Sequence, residues 1–160
     1  MPTIKDRDFG TVEQDEYSLT RPFKVTIFGE TRTVELDISG PDDDGGVEEH
    51  QRVAFRQLDR EKNRFCADAE DEIFKYYKSV VDEIRADRGD SADEDMPLIS
   101  SKNELKRMLS LESIVINMGY GEVEQEIGFL FECTWEPEHG LAARFLKGKC
   151  VEIGFQDIVL

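Results

Sequence analysis

Residues that could carry out chemistry are most concentrated between Cys133 and Gly140 in this chain of 160 residues. Cys133 and His139 have the side chains of a nucleophile and its general base, and Glu138 or Asp157 could orient the imidazole. One hypothesis is therefore a small enzyme, in which His139 acts as general base in a pocket lined by this loop and by Asp157.

The same segment also fits a purely structural interpretation. Its cysteine alternates with large apolar residues, and a thiol on an apolar strand face has a raised pKa and low reactivity. Glu136–Gly140 is typical of a hairpin loop in which Pro137 presets φ and Gly140 supplies a positive φ. We therefore predict no catalytic residue and keep the loop Trp135–Gly140 as the alternative enzyme site. The alternating run consists of Phe129, Phe131, Cys133 and Trp135.

The soft metal ligands of the chain match no metal-binding motif. The three cysteines form no CxxC pair, and neither they nor the two histidines stand at the spacing of a zinc site. The acidic segments 42–44 and 93–95 lack the loop and closing glutamate of a calcium site. Gly119-x-Gly121 follows a predicted strand, but no helix opens behind it to hold phosphate. We therefore expect neither a metal nor another cofactor.

Net charge gives the strongest remaining indication of function. The chain carries 20 Lys and Arg against 36 Asp and Glu, a net charge of −16. Such a charge repels nucleic-acid backbones and anionic membranes, and it steers a basic protein partner towards an acidic face. The alternative is that the charge only maintains solubility. The candidate binding residues are Asp42, Asp43, Asp44, Glu48, Glu49, Trp135, Glu138, His139 and Asp157.

The elements that must position these residues are predicted from the spacing of apolar side chains. Apolar residues recur at helical spacing from Val53 to Ile84, although the spacing slips at 62–64. The pattern predicts an α+β fold, with an antiparallel sheet of about six strands packed against one long helix and one short helix. The expected single domain 1–160 contains an N-terminal hairpin about 11–38, the long helix about 47–88, an acidic loop 89–97, the short helix about 101–109 and C-terminal antiparallel strands about 112–157.

Two local signals sharpen this prediction. The loop Gly29-Glu30-Thr31 is expected to join the alternating strands 23–28 and 33–38. Ser101 and Glu104 have the spacing of a capping box at the start of the short helix.

The chain shows no pattern of a membrane or secreted protein. No apolar run approaches the ~20 residues that span a bilayer. The first ten residues, MPTIKDRDFG, contain no apolar signal region. We therefore expect a cytoplasmic location.

Three motifs follow one another along the chain: Asp8-Phe9-Gly10-x-Val12, the hairpin sequence at 23–29 and the block Cys-x-Trp-x-x-Glu-His-Gly at 133–140. Their order resembles the order of motifs in a group of small, mostly bacterial domains of unknown function. Small acidic bacterial proteins of this kind often occur near contact-dependent toxins, where similar proteins serve as immunity proteins.

Charge and resemblance together imply an acidic protein-binding domain of the immunity or inhibitor type. Such a domain would neutralise a basic protein partner, for example a toxin. The alternative is a structural module that forms homo-oligomers through an exposed sheet edge, for which the C-terminal strand Val151–Phe155 is the candidate.

Overall fold

The computed structural model describes residues 2–40, 47–119 and 125–160, and the predicted binding residues Asp42, Asp43 and Asp44 lie outside these ranges. Within them, eight strands form one sheet in which the strands lie side by side in chain order. The strands are β1 (Thr3–Asp6), β2 (Gly10–Gln14), β3 (Ser18–Ile27), β4 (Glu30–Ser39), β5 (Leu109–Ile116), β6 (Glu126–Cys133), β7 (Leu141–Leu146) and β8 (Lys149–Gly154). All neighbours are antiparallel except β4 and β5, which are parallel.

The prediction of about six antiparallel strands against one long helix is wrong. β1 buries none of its side chains and β2 buries only Val12, so neither strand has the apolar alternation that marks a strand in a sequence. Backbone pairing forms them instead, with Thr3 opposite Glu13. The parallel pairing was also missed, because β4 and β5 are separated by the whole helical region and no local pattern specifies their contact.

The predicted helix 47–88 is two helices, α1 (Glu49–Arg60) and α2 (Lys62–Arg88). The interruption lies at Glu61, whose φ of −116° and ψ of 25° depart from helical values. It is adjacent to the slip in apolar spacing at 62–64. A third, short helix α3 (Ala92–Asp95) lies in the segment 89–97 that was expected to be a loop.

The short helix predicted about 101–109 is a 3-10 helix at Lys102–Arg107. Its predicted capping box is confirmed: the Glu104 carboxylate accepts the Ser101 backbone N–H at 2.9 Å. The carboxylate also accepts the N–H of Ser100 at 2.8 Å, so one side chain satisfies two donors before the helix.

The turn between β3 and β4 consists of Phe28 and Gly29 rather than the expected residues 29–31. Both have positive φ, 51° and 78°, which is the two-residue geometry that matches the twist of a hairpin. Phe28 is an unusual residue for this conformation. It is held there because its ring is buried near Phe131 and its N–H donates to the Glu70 carboxylate of α2 at 2.8 Å.

The helices cover one face of the sheet, and the main core lies between them. On the opposite face, the C-terminal segment Gln156–Val159 covers the second half of the sheet, where Val159 packs on an apolar strip. Gly128 permits this contact, since a Cβ there would lie 2.6 Å from Val159 Cγ2. The strip consists of Val115, Leu130 and Ala142. None of the described helices is long and apolar enough to cross a membrane.

Candidate functional site

The hairpin loop after β6 holds His139 at the surface. Its Nδ1 lies 2.8 Å from Glu136 Oε1, and its ring stacks on Phe155 at 5.0 Å between centroids. The hydrogen bond to Glu136 raises the pKa of His139 above its ordinary value, and the negative charges of Glu138 and Asp157 raise it further. The structure thus brings the three predicted residues Glu138, His139 and Asp157 together on an exposed surface.

Trp135 and Cys133 lie elsewhere, in the core beneath that surface. Trp135 packs edge-on against Tyr77 at 5.0 Å between ring centroids, and its carbonyl accepts a hydrogen bond from Arg88. Burial raises the pKa of the Cys133 thiol to about 12, so the thiol is protonated and a weak nucleophile at neutral pH. Trp135 therefore anchors the start of the loop in the core and does not line an open pocket with His139.

Glu48 and Glu49 occupy the N-terminus of α1, where each has a partner. Glu48 caps the helix, and its own N–H donates to the Gln51 side chain at 2.8 Å. Glu49 forms ion pairs with Arg7 at 3.5 Å and with Arg56 at 3.3 Å. The charge of Glu49 is therefore compensated within the molecule.

A partly buried ion-pair network lies next to these residues and connects α1 to the turn between β1 and β2. Arg52 contacts both carboxylate oxygens of Asp6, at 2.7 and 3.0 Å, and Asp8 at 2.9 Å. Burial disfavours ionised Asp6, but the Arg52 hydrogen bonds and the N–H groups of Phe9 and Asp8 outweigh this and lower its pKa to about 2. Because these groups satisfy one another, the network is a structural connection rather than a site.

The first half of the sheet exposes a polar surface that sequence reasoning did not identify. We call the side of β1–β4 turned away from the helices the open face. Register places Glu13 opposite Thr3 and Thr20, and Thr20 opposite Asp37, so these side chains form a row across four strands. The open face consists of Thr3, Lys5, Thr11, Glu13, Thr20, Pro22, Lys24, Thr33, Glu35 and Asp37.

An interstrand cleft of about 450 Å³ opens in this face between β2 and β3. The two strands pair only through Glu13–Thr20 and Gln14–Leu19. Beyond these pairs Pro22 has no N–H to donate, and Arg21 bridges the gap from the helix side by donating to the Phe9 carbonyl at 2.6 Å. The cleft is lined by Thr3, Thr11, Val12, Glu13, Thr20, Arg21, Pro22, Thr33, Val34 and Glu35.

The carboxylates at this cleft form no ion pair in the described residues, although Lys5 and Lys24 lie on the same face. Partial burial raises the pKa of Asp37, and the charges of Glu35 and Asp15 raise it further. Within the described residues, Glu13, Glu35 and Asp37 form no ion pair with lysine or arginine. The signal that could have found this site is the alternation of threonine and carboxylate residues with apolar residues at 11–13 and 33–37, together with Pro22 on the intervening strand.

A second acidic surface lies at the end of α2 and in the segment that follows. We call it the distal acidic surface. Its five exposed carboxylates form no ion pair with a described lysine or arginine, and it has no cleft comparable to that of the open face in the residues that the structure describes. The surface consists of Asp82, Glu83, Asp87, Asp90 and Glu94.

In the described ranges, no group of three or more His, Cys, Asp or Glu side chains is placed to hold a metal ion.

Comparison with known proteins gives one match. Neither the curated proteins nor the solved structures contain a significant match to the chain. A protein-family profile, however, matches residues 8–160, which is nearly the whole sequence. The chain therefore belongs to the family described as domain of unknown function DUF6985.

Proposed function

We propose that the chain is a protein-binding domain that recognises a basic protein partner through the open face. The observation that carries this proposal is the group of carboxylates Glu13, Glu35 and Asp37, which form no ion pair with a described cation and outnumber the two lysines, Lys5 and Lys24, on the same face. The carboxylates lie on an exposed sheet face beside a cleft, whereas many carboxylates elsewhere have partners.

Charge compensation on the helices supports this assignment of the binding face. Asp68 pairs with Arg64 at 2.7 Å, and Asp71 pairs with Lys102 at 2.8 Å. An approaching partner would have to compete with these cations for the helix face. On the open face a basic partner instead replaces water around carboxylates that have no ion-pair partner, and association gains electrostatic energy.

The same argument favours an inhibitor or immunity type of function. A protein that acts on nucleic acid carries a positive surface because it must bind phosphate groups. An acidic sheet face of fixed shape can cover such a surface and block it. We therefore propose a partner of this class, such as a basic toxin.

The test begins with identification of the partner from a lysate of the organism that encodes the protein. A tagged chain is expected to retain a basic protein at low salt and lose it at high salt, since screening weakens association between charged surfaces. Association of the purified pair is then measured by stopped flow. Recovery of only acidic or salt-insensitive partners would contradict the proposal.

A matched pair of variants then tests the binding face. The first variant combines Glu13→Gln, Glu35→Gln and Asp37→Asn on the open face. The control removes the same number of charges from the distal acidic surface, with Asp82→Asn, Glu83→Gln and Asp87→Asn. We expect the first to slow association about tenfold and the control to have a much smaller effect. Equal effects would show that net charge, and not the open face, determines binding.

Self-association is a second candidate function, supported by the edge of the sheet. β8 is the last strand of the sheet, and Val151 and Phe155 near its outer edge are 49% and 41% exposed. An edge strand with exposed apolar residues can pair with the same strand of a second copy. Light scattering across a range of concentrations tests this directly, and a monomer at the highest concentration would exclude it.

A further inference from the structure

The geometry of the interstrand cleft points to a specific ligand group. We infer that the cleft is a receptor for the guanidinium group of an arginine side chain that the basic partner presents. This inference rests on the proposed function, since it supplies the chemical group by which the open face would recognise its partner.

The cleft has the shape of a receptor for one side chain rather than for a flat surface. Because β2 leaves β3 beyond the pair Glu13–Thr20, a gap opens in the sheet where the next pairs would lie. Its volume of about 450 Å³ is in the lower part of the range for ligand pockets. A side chain that enters it would lie between two strands instead of on top of them.

The lining of the cleft matches the two parts of an arginine side chain. The exposed ring of Pro22 supplies apolar surface against which an aliphatic stem can pack, and the buried Val12 and Val34 lie beneath it. The polar groups around them are hydroxyls and carboxylates, which accept hydrogen bonds. A planar guanidinium has five N–H donors and can serve several such acceptors at once, whereas an ammonium group has three donors at one point. The polar lining consists of Thr3, Thr11, Glu13, Thr20, Thr33 and Glu35.

The arginine already present in the cleft does not occupy this position. Arg21 Nη1 donates to the Phe9 carbonyl at 2.6 Å, and its Nε donates to the Pro22 carbonyl at 3.0 Å. Its guanidinium also lies 5.6 Å from the ring centroid of Phe55, on the helix side of the sheet. Arg21 therefore closes the floor of the cleft from below and forms no ion pair with Glu13 or Glu35.

The charges on the elements around the cleft favour a cation. Glu13 comes from β2, Glu35 and Asp37 come from β4, and Asp15 lies in the turn between β2 and β3. Of the cations on β1–β4, the exposed Lys5 and Lys24 lie on the open face, Arg21 closes the floor of the cleft, and Arg32 pairs with Glu112 at 3.8 Å. The three carboxylates Glu13, Glu35 and Asp37 thus outnumber the two lysines on this face. The carboxylates nearest to the cleft act on one another, as Asp15, Glu35 and Asp37 do, and a bound guanidinium would relieve this repulsion.

The test is a titration of the isotopically labelled chain with a defined peptide, followed by NMR. The probe is the capped peptide Gly-Ser-Arg-Ser-Gly, and its control contains citrulline in place of arginine, which has nearly the same shape without the charge. We expect the arginine peptide to shift the signals of Thr11, Thr20 and Thr33. Its apparent Kd should be at least about tenfold lower than that of the citrulline peptide, because charge-assisted hydrogen bonds are the stronger ones.

Matched variants make the assignment specific. Glu13→Gln with Glu35→Gln should abolish the shifts, while Asp82→Asn with Asp87→Asn should retain them. Both pairs change exposed side chains, and unchanged spectra away from the substitutions would establish that each variant is folded.

Three results would overturn the inference. They are an absence of shifts at the cleft, equal binding of a lysine peptide, or shifts of the same size at the distal acidic surface. None of these results depends on the natural partner. If a basic partner binds the open face but the arginine peptide does not enter the cleft, the inference fails and the proposed function stands. If no basic partner exists, the proposed function fails independently of the peptide titration.

Discussion

Asp6 shows how one partly buried carboxylate connects the N-terminal hairpin to the rest of the molecule. Its oxygens accept hydrogen bonds from Arg52 of α1 and from the N–H groups of Asp8 and Phe9 in its own turn. A single ionised side chain therefore fixes both the shape of the turn and its contact with the helix. Removing it leaves the Arg52 guanidinium with fewer partners in a mostly buried position.

The lowered pKa of Asp6 predicts a pH dependence of stability with a definite sign. The pKa is about 2 in the folded chain and 3.8 in the reference state, so the folded state favours the ionised form. The stabilisation is complete above pH 3.8 and is lost as the pH falls towards 2. We expect Asp6→Asn to lower the free energy of unfolding by about 2 kcal/mol at pH 7, measured by urea denaturation.

The difference between wild type and this variant should shrink when the same measurement is made near pH 2. Asp59→Asn, on the exposed surface of α1, is the control and should change stability by less than about 0.5 kcal/mol. A difference for Asp6→Asn that is constant with pH would show that the carboxylate charge is not the stabilising feature.

At the scale of elements, α2 fixes the hairpin turn between β3 and β4. Glu70 accepts the N–H of Phe28, a residue with positive φ whose ring is buried. Glu70→Ala should destabilise the chain by about 1–3 kcal/mol, because it leaves a partly buried N–H without an acceptor. Glu70→Gln retains an acceptor oxygen and should cost less. Equal losses for the two variants in denaturant unfolding would contradict this role of the hydrogen bond.

The C-terminal segment is a second element whose attachment can be tested. A Cβ at Gly128 would meet Val159, so Gly128→Ala should displace Gln156–Val159 from the sheet and cost about 1–3 kcal/mol. Amide hydrogen exchange of Val159 should accelerate. In a chain that already carries Val159→Gly, the clash has no partner and the same glycine substitution should cost little. Additive effects of the two substitutions would contradict direct contact as the cause.

Sequence reasoning found those elements whose stability is local. The hairpin of β3 with β4 and the capping box of Ser101 with Glu104 both follow from short-range patterns. β1 was missed because its side chains are exposed and only its backbone specifies pairing. The interstrand cleft was missed because it results from pairs that do not form, and a single proline such as Pro22 does not by itself mark the point at which β2 leaves β3. The proximity of His139 to Glu138 and Asp157 is a geometric observation, and a role for these residues in binding stays a prediction.

At the scale of the whole molecule, the net charge of −16 opposes the compact state through repulsion among carboxylates. Raising the ionic strength from roughly 0.01 M to 1 M shortens the Debye length from about 30 Å to 3 Å and should relieve this repulsion. We expect the Tm to rise by about 2–4 °C for each kcal/mol of relief. A fall in Tm with salt would mean that ion pairs such as Arg52–Asp6 outweigh the repulsion.

The parallel contact of β4 with β5 has a consequence for how the chain assembles. β1–β4 and β5–β8 are two antiparallel meanders, and within each of them neighbouring strands are also neighbours in the chain. Across the contact between them, Arg32 donates to Ser110, 78 positions away. Closing a loop of that length costs roughly 4 kcal/mol of chain entropy, and only the completed contact repays it. The slowest event in folding is therefore expected to be the meeting of two finished half-sheets rather than the formation of either one.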